Sequence, residues 1–160
     1  MNQIEINWQG PFTIEETEKL NSDIDFGIYQ IYGTHNIFGP NSLLYIGKAC
    51  DQYFSTRISQ HKTWLEKEFS ELKIYIGRLG GINFREDEDW TKDIDEAERL
   101  LIYYSSPPYN TQNLNDYGQV ENTLVLNFGK KNRIPMEVST FWKKSNFWNK
   151  EIWKEYKTIK

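Results

Sequence analysis

The chain has 160 residues, a net charge of −4 and many aromatic side chains, with 6 Trp, 10 Tyr and 9 Phe. This length predicts a single domain over residues 1–160, and the acidic balance argues against a generic nucleic-acid binder, which usually carries a basic patch. One cysteine, Cys50, and two histidines exclude an internal disulfide and a Cys/His zinc site. Without an apolar run long enough to span a bilayer or a recognisable signal peptide, we expect a cytoplasmic protein with no membrane contact.

The two ends of the chain differ in charge. Residues 1–110 hold 10 Lys and Arg against 18 Asp and Glu, whereas residues 111–160 hold 9 against 5. Because phosphate binding relies on Lys and Arg, we expect any anion-binding surface to draw on the C-terminal part. The candidate contacts in that part are Lys143, Lys144, Lys150 and Lys154.

The N-terminal part of the chain predicts a small sheet. The alternating stretch "IEINW" is typical of a short strand, and "TIEE" at Thr13 to Glu16 has the capping-box form that opens a helix. In "FGIYQIY" and "SLLYIGK" the apolar residues point to both faces of two neighbouring strands, so both faces of the sheet should be covered. The segment "GTHNIFGPNS" between them, rich in Gly and Asn, predicts a hairpin loop.

The middle of the chain predicts two amphipathic helices around a third strand. Apolar residues at helical spacing predict one helix of about four or five turns from Phe54 to Leu72, and "LKIYIGRL" at Leu72 to Leu79 predicts the strand. We expect "REDEDW" at Arg85 to Trp90 to be a solvated loop. We expect "DIDE" at Asp93 to Glu96 to cap the second helix and "SSPPYN" to end it.

Beyond Asn110 the pattern weakens. "NTLVLNF" predicts a strand, and "FWKKSNFWNKEIWKEYK" predicts one or two helices with aromatic and basic faces. Aromatic residues in such a segment are more often core residues or a partner surface than platforms for DNA bases. The residues concerned are Phe141, Trp142, Phe147, Trp148 and Trp153.

Six polar residues lie beside or inside the apolar patterns: Tyr29, Tyr45, Arg57, His61, Glu98 and Asn110. Taken singly, each tyrosine is more readily explained as a hydrogen-bonded core residue, and His61 equally well as a boundary histidine. Arg57 and His61 are four apart, which predicts that they lie one turn apart on the same helix face. Glu98 has apolar neighbours, so its carboxylate needs a cation or hydrogen bonds to stay charged.

The order of these groups along the chain forms a recognisable series. It runs through "GIY" at 27–29, "YIG" at 45–47, Arg57 with His61 in "TRISQH", and "ERLLIYYSSPPYN" from 98 to 110. In this order the elements resemble the GIY-YIG nuclease family, over about residues 24–112. The loop between the two tripeptides is longer than the family usually shows, and residues 113–160 form a basic and aromatic extension without a recognisable motif.

The resemblance implies an α+β fold, with a small three-stranded antiparallel sheet flanked by helices and extended at both ends. It also implies a metal-dependent DNA endonuclease in which Glu98 holds one Mg²⁺ or Mn²⁺ ion. Arg57 would contact the non-bridging phosphate oxygens. Tyr29 would activate or orient the attacking water, its pKa lowered by Arg57 and the metal, and His61 would share the proton transfer.

Three further residues have implied parts in the same site. Tyr45 would contact the scissile phosphate or orient the water, and Asn110 would position the loop behind Glu98. Lys48, directly after "YIG", is either a phosphate or proton-transfer contact or a solvated lysine at the end of its strand. In the unliganded protein, we expect the Glu98 carboxylate to lack a cation.

Two questions stay open at the level of the sequence. A catalytically idle nucleic-acid-binding or protein-interaction module on the same fold is the alternative to an enzyme, although all the catalytic residue types are present. A single active site cuts one strand, so double-strand cleavage requires a homodimer or two successive events.

Overall fold

The computed structural model describes residues 1–65, 67–68, 70–80 and 87–141. The basic and aromatic C-terminal extension predicted over residues 113–160 is described as far as Phe141, and its part from Trp142 onward lies outside the described residues. The predictions for Lys143, Lys144, Phe147, Trp148, Lys150, Trp153 and Lys154 therefore stay predictions. The described elements are, in chain order, β1 (Asn2–Phe12), α1 (Ile14–Thr17), β2 (Gly27–His35), β3 (Gly39–Ala49), α2 (Phe54–Ser59), α3 (Lys62–Leu65), β4 (Lys73–Gly80), α4 (Asp87–Ser105), β5 (Thr123–Gly129) and β6 (Glu137–Ser139).

The strands of the described residues form one six-stranded mixed sheet in the order β3-β2-β4-β1-β5-β6. All neighbouring pairs are antiparallel except β1 and β5, which are parallel. The prediction of a small three-stranded antiparallel sheet flanked by helices is therefore wrong. The three predicted strands do lie side by side as β3, β2 and β4, but β1 pairs with the far side of β4 and connects it to β5 and β6. This pairing covers an edge of β4 that would otherwise present unpaired backbone groups.

Several sequence predictions around this sheet are confirmed. "IEINW" lies within β1, and "NTLVLNF" contains most of β5. Thr13 caps α1 with the expected capping box, in which the Thr13 hydroxyl accepts from the Glu16 amide and the Glu16 carboxylate accepts from the Thr13 amide. The hairpin between β2 and β3 forms where Gly, Asn and Pro predicted a loop.

The predicted continuous helix from Phe54 to Leu72 is wrong. The chain forms α2 and then α3, and His61 lies between them. The His61 amide donates to the Ile58 carbonyl at 3.0 Å, a three-residue spacing that tightens the end of α2. Phe54, Ile58 and Leu65 still pack in one core cluster, so the periodic pattern predicted burial correctly although the helix is broken.

Helix α4 begins earlier than the sequence suggested. It starts at Asp87, so the predicted loop at Arg85 to Trp90 is wrong from Asp87 onward, and Asp93 is an interior residue of the helix. Acidic residues favour the first turn of a helix because they complement its positive end. The helix ends at Ser105, as "SSPPYN" predicted. None of the described helices combines the length and apolar character needed to cross a bilayer.

Helices cover both faces of the sheet. Tyr29 packs in one core cluster with Phe54 and other residues of α2, whereas Ile28 packs in a second cluster with Leu100 and other residues of α4. Neighbouring residues of a strand point to opposite faces, which explains this division. We call the two sides the α2 face and the α4 face.

Gly77 tests the packing of β1 against β4. A Cβ added to Gly77 would come within 2.6 Å of Ile6 Cγ2 and 2.8 Å of Trp8 Cε3. Gly77→Ala must therefore displace β1 side chains, and we expect it to lower the free energy of unfolding by about 1–3 kcal/mol. Gly80→Ala is the matched control, because no atom of the described residues lies within 4 Å of its Cβ. Urea unfolding checks both variants, and equal midpoints would contradict this strand order.

Candidate active site

Tyr29 lies at the centre of the candidate site. It belongs to β2, between β3 and β4, and none of its surface is exposed. Its hydroxyl lies 2.6 Å from His61 Nε2. A buried phenol hydroxyl requires a hydrogen-bond partner, and the break between α2 and α3 places His61 where it supplies one.

Burial and charge set the protonation states of this pair. Burial is the main reason why the pKa of Tyr29 lies well above its usual value. The neighbouring Tyr45 raises this pKa further, whereas the Arg57 guanidinium lowers it. Burial and the Arg57 cation lower the pKa of His61 to about 4. At neutral pH the Tyr29 hydroxyl therefore donates its hydrogen bond to a neutral His61 ring. Arg57 lowers the pKa of Tyr29 as expected, but in the free protein burial outweighs the guanidinium.

The glycines of the two tripeptides make room for close contacts. Gly47 pairs with Tyr29 across β2 and β3, and a Cβ there would lie 2.5 Å from the Tyr29 hydroxyl oxygen and 2.7 Å from Tyr45 Cε1. Gly27 has φ of 141°, and a Cβ at this position would collide with the Gly77 carbonyl oxygen. Glycine is required at both positions, one to admit the Tyr29 hydroxyl and one to admit the neighbouring strand.

Tyr45 lies beside the Tyr29 and His61 pair. Its ring centroid is 4.8 Å from that of His61, edge to face, and 6.1 Å from that of Tyr29. Burial is the main cause that raises the pKa of Tyr45, and the Glu98 carboxylate is the second. The half-buried Tyr45 therefore keeps its hydroxyl proton at neutral pH and can donate a hydrogen bond. Both roles expected for it, a contact to the scissile phosphate or orientation of the water, use such a donor.

Lys48 forms the second half of the site with two carboxylates of α4. Its Nζ lies 3.3 Å from Glu98 Oε2 and also donates a hydrogen bond to Asp95 Oδ1. Asp95 in turn pairs with Arg99 Nε at 2.8 Å. The expectation of a solvated Lys48 at the strand end is wrong, and so is the expectation that Glu98 lacks a cation, because Lys48 neutralises it.

Glu98 is suited to a metal ion by its chemistry. Its side chain is 13% exposed, and burial raises the pKa of Glu98 although Lys48 opposes this shift. Within the described residues no group of three or more His, Cys, Asp or Glu side chains is arranged to hold a metal. Mg²⁺ needs no such group, since it keeps several waters and binds one or two carboxylates together with substrate phosphate. The Glu98 carboxylate fits that requirement, and a second carboxylate, that of Asp95, lies nearby because both contact Lys48.

The two halves of the site meet at the end of β3. A cavity of about 170 Å³ there is lined by Lys48 and Arg57, together with the segment from Ala49 to Gln52. Arg57 belongs to α2 and donates to Gln60 Oε1 at 2.6 Å, and its charge lowers the pKa values of both His61 and Glu98. Arg57 is thus coupled electrostatically to the α2-face pair and to the α4-face carboxylate.

Asn110 holds the chain after α4 against β3. Its Oδ1 accepts from the Ile46 amide at 3.0 Å, and its Nδ2 donates to the Ile46 carbonyl at 2.8 Å. The neighbouring Tyr109 amide donates to the Leu44 carbonyl at 3.0 Å. Asn110 is buried, and in this arrangement it fixes the loop that follows the helix of Glu98.

Sequence reasoning missed two residues of the site. Asp95 shares Lys48 with Glu98, and its position three residues before Glu98 on a helix was a usable signal, since such residues are neighbours on one face. Trp64 lies beside the site, with its ring centroid 5.8 Å from His61 and 6.1 Å from Tyr45. Nothing in the sequence pattern pointed to Trp64, because its contacts depend on the break between α2 and α3.

No protein-family model, curated protein or solved structure matches this chain. The resemblance to GIY-YIG nucleases accordingly depends on the sequence elements named above.

The pKa of His61 provides a test of the charge arrangement. A folded-state pKa of about 4, below the ordinary 6.5, means that the neutral ring contributes stability above about pH 6.5 that is lost as the pH falls toward 4. Arg57→Gln removes the nearby cation, so we expect the pKa of His61 to rise but to stay below 6.5 because burial remains.

Proton NMR titration of the two histidine rings measures this shift, with His35→Gln used for assignment. Arg99→Gln is the control, because it removes the same charge from the residue paired with Asp95. A His61 pKa that responds equally to both variants, or to neither, would contradict the assigned position of Arg57.

Proposed function

We propose that this protein is a metal-dependent DNA endonuclease with a GIY-YIG-type active site. The observation that supports this most directly is the cavity at the end of β3, where the Arg57 guanidinium lies beside Lys48 and the segment from Ala49 to Gln52. The Arg57 guanidinium that lines it is coupled electrostatically to the hydrogen-bonded Tyr29 and His61 pair and to the Glu98 carboxylate. Hydrolysis of a phosphodiester requires these groups: cations for the phosphate oxygens, a proton acceptor for the attacking water, and a ligand for the metal.

The Tyr29 and His61 pair provides a route for the proton of the attacking water. Tyr29 keeps its own proton in the free protein, so it can pass that proton to His61 Nε2 as it accepts one from water. His61 is a weak base while burial and the Arg57 guanidinium lower its pKa to about 4. A phosphodiester bound beside Arg57 carries a negative charge that offsets the guanidinium, so substrate binding raises the pKa of His61 toward the range of a useful base.

The cationic side of the site stabilises the charge that develops on phosphate. The Arg57 guanidinium presents its planar donors to two oxygens at once, which suits the non-bridging oxygens of the reacting group. Glu98 would hold the Mg²⁺ or Mn²⁺ ion, which when bound supplies positive charge for the leaving oxygen. When Glu98 binds the metal ion in place of Lys48, Lys48 still has its hydrogen bond to Asp95. The ammonium group of Lys48 therefore remains neutralised.

DNA affinity and location extend the proposal to the rest of the chain. The described residues of the site carry few cations, so we assign non-specific DNA affinity to the basic extension, with Lys143, Lys144, Lys150 and Lys154 as contacts. The cytoplasm is the proposed compartment. The idle DNA-binding module remains the second candidate, and one observation favours it: Lys48 already neutralises the carboxylate that a metal requires.

Glu98→Gln separates the two candidates. It removes the charge that holds the metal but keeps the size of the side chain, so we expect plasmid nicking in Mg²⁺ to fall by about a hundredfold or more. Excess EDTA should abolish nicking by the unaltered protein. Because Lys48 keeps its bond to Asp95, the melting temperature and DNA affinity should change little.

Glu96→Gln is the matched control for this substitution. Glu96 belongs to the same helix, its side chain is also 13% exposed, and its Oε2 accepts from Thr123 Oγ1 at 3.0 Å on another part of the surface. This variant should nick DNA at the normal rate. Equal nicking by both variants would refute the role of Glu98, and an unaltered protein that binds DNA without nicking it would support the idle module.

Tyr29→Phe tests the proton route. It removes one hydroxyl and keeps the ring, so the fold should persist while nicking falls by about 10²–10⁴-fold. Tyr32→Phe is the control, since Tyr32 is equally buried on β2 and its hydroxyl donates to Gln30 Oε1 at 2.7 Å, away from His61. Measured on preparations with equal far-UV circular dichroism, a normal nicking rate for Tyr29→Phe would transfer the role to His61 acting alone.

A further inference from the structure

A series of aromatic rings leads from the candidate site to the tip of the β2–β3 hairpin. From the site outward, His61 is followed by Trp64, Tyr109, His35 and Phe38. The centroid distances between successive rings are 5.8, 5.4, 6.0 and 4.8 Å. The rings come from three separate stretches of the chain, so the fold and not the local sequence brings them into one row.

The outer end of this row is exposed and apolar. Phe38 is 65% exposed, Ile37 beside it is 82% exposed, and Tyr109 is 37% exposed. Burying such side chains would be favourable, and their exposure in a row that ends at a catalytic site points to a ligand surface. We call the exposed part, formed by Ile37, Phe38 and Tyr109, the ring platform.

The hairpin tip is held in place for contact. His35 Nδ1 accepts from the backbone amides of Ile37 at 3.2 Å and Phe38 at 3.3 Å. The imidazole ring of His35 also stacks on the Phe38 ring with an interplanar angle of 22°. One histidine thus fixes both the backbone and the ring of the tip, and a preorganised contact loses less entropy on binding.

We infer that the ring platform binds unpaired bases of the DNA substrate, so that the enzyme acts on DNA with single-stranded nucleotides next to the scissile phosphate. This inference rests on the proposed function, because the row of rings ends at His61. Aromatic side chains stack on bases of any sequence, and apolar residues such as Ile and Phe insert between bases that are unstacked. The segment "GTHNIFGPNS" around the tip contains no Asp or Glu, and the Glu68 carboxylate beside the platform accepts from the Tyr109 hydroxyl at 2.9 Å.

Fluorescence anisotropy in EDTA tests this inference without cleavage. The probes are a short fluorescein-labelled single strand and a blunt duplex of the same sequence. Replacing an aromatic side chain that stacks on a base by alanine weakens binding by about tenfold. We therefore expect Phe38→Ala to weaken binding of the single strand by about this factor and to leave binding of the duplex unchanged.

Two further variants distinguish stacking from general apolar contact. Phe38→Leu keeps apolar bulk at the tip but removes the ring, so we expect it to bind the single strand as weakly as Phe38→Ala does. Phe128→Ala is the matched control, since Phe128 is 45% exposed on β5, which β1 and β4 separate from β2 in the sheet. It should bind both probes as the unaltered protein does.

Three outcomes would overturn the inference. They are full affinity of Phe38→Leu for the single strand, equal losses on both probes, and no binding of the single strand by the unaltered protein. Full affinity of Phe38→Leu would indicate an apolar partner such as another protein. The proposed function fails separately, when nicking in Mg²⁺ is absent or survives Glu98→Gln, and the anisotropy measurement is independent of that result.

Discussion

The Tyr29 hydroxyl is the constraint on which the rest of the site depends. A phenol in the middle of a sheet must have both space for its oxygen and a hydrogen-bond partner. Gly47 provides the space, because any side chain there would collide with the hydroxyl. His61 provides the partner at 2.6 Å, and it reaches that position because the helical segment is broken between α2 and α3. One buried polar group thus accounts for a glycine, a histidine and an irregular connection.

The charged groups follow a second constraint, set by the opposite face of the sheet. Lys48 neighbours Gly47 on β3 and therefore points to the α4 face, where Asp95 and Glu98 neutralise it. The Tyr29 and Lys48 side chains consequently leave the sheet on opposite faces, but the Glu98 carboxylate is still close enough to raise the pKa values of Tyr45 and Tyr29. Arg57 is coupled to both sides, because its charge lowers the pKa values of His61 and Glu98.

Local pattern predicted the strands and the buried positions, but not the sheet. The strands at "IEINW", "GIY", "YIG" and "NTLVLNF" have apolar residues at strand spacing, and the structure has strands there. The parallel pairing of β1 with β5 joins Asn2 to Thr123, and local periodicity carries no information on contacts so distant in sequence. The helix break at His61 was equally invisible, since a tertiary hydrogen bond to Tyr29 competes there with helical geometry. The six candidate residues could be named from the sequence and stay predictions, whereas the Lys48 pairing depends on where α4 packs.

The edge of β3 shows how the backbone joins the site. The Asn110 side chain hydrogen-bonds to the outward-facing amide and carbonyl of Ile46, and the Tyr109 amide donates to the carbonyl of Leu44. This loop therefore covers the edge of β3 up to Ile46. In an antiparallel strand, the backbone amides and carbonyls of residues i and i+2 point to the same neighbouring strand or edge. The backbone amide of Lys48 therefore faces outward like that of Ile46. Backbone amides are common phosphate ligands. A phosphodiester at the end of β3 would therefore meet the Lys48 amide and the Arg57 guanidinium together, while the Lys48 ammonium group stays with its carboxylates. In this arrangement Lys48 would bind phosphate through its backbone, while its side chain holds α4 through Asp95 and Glu98.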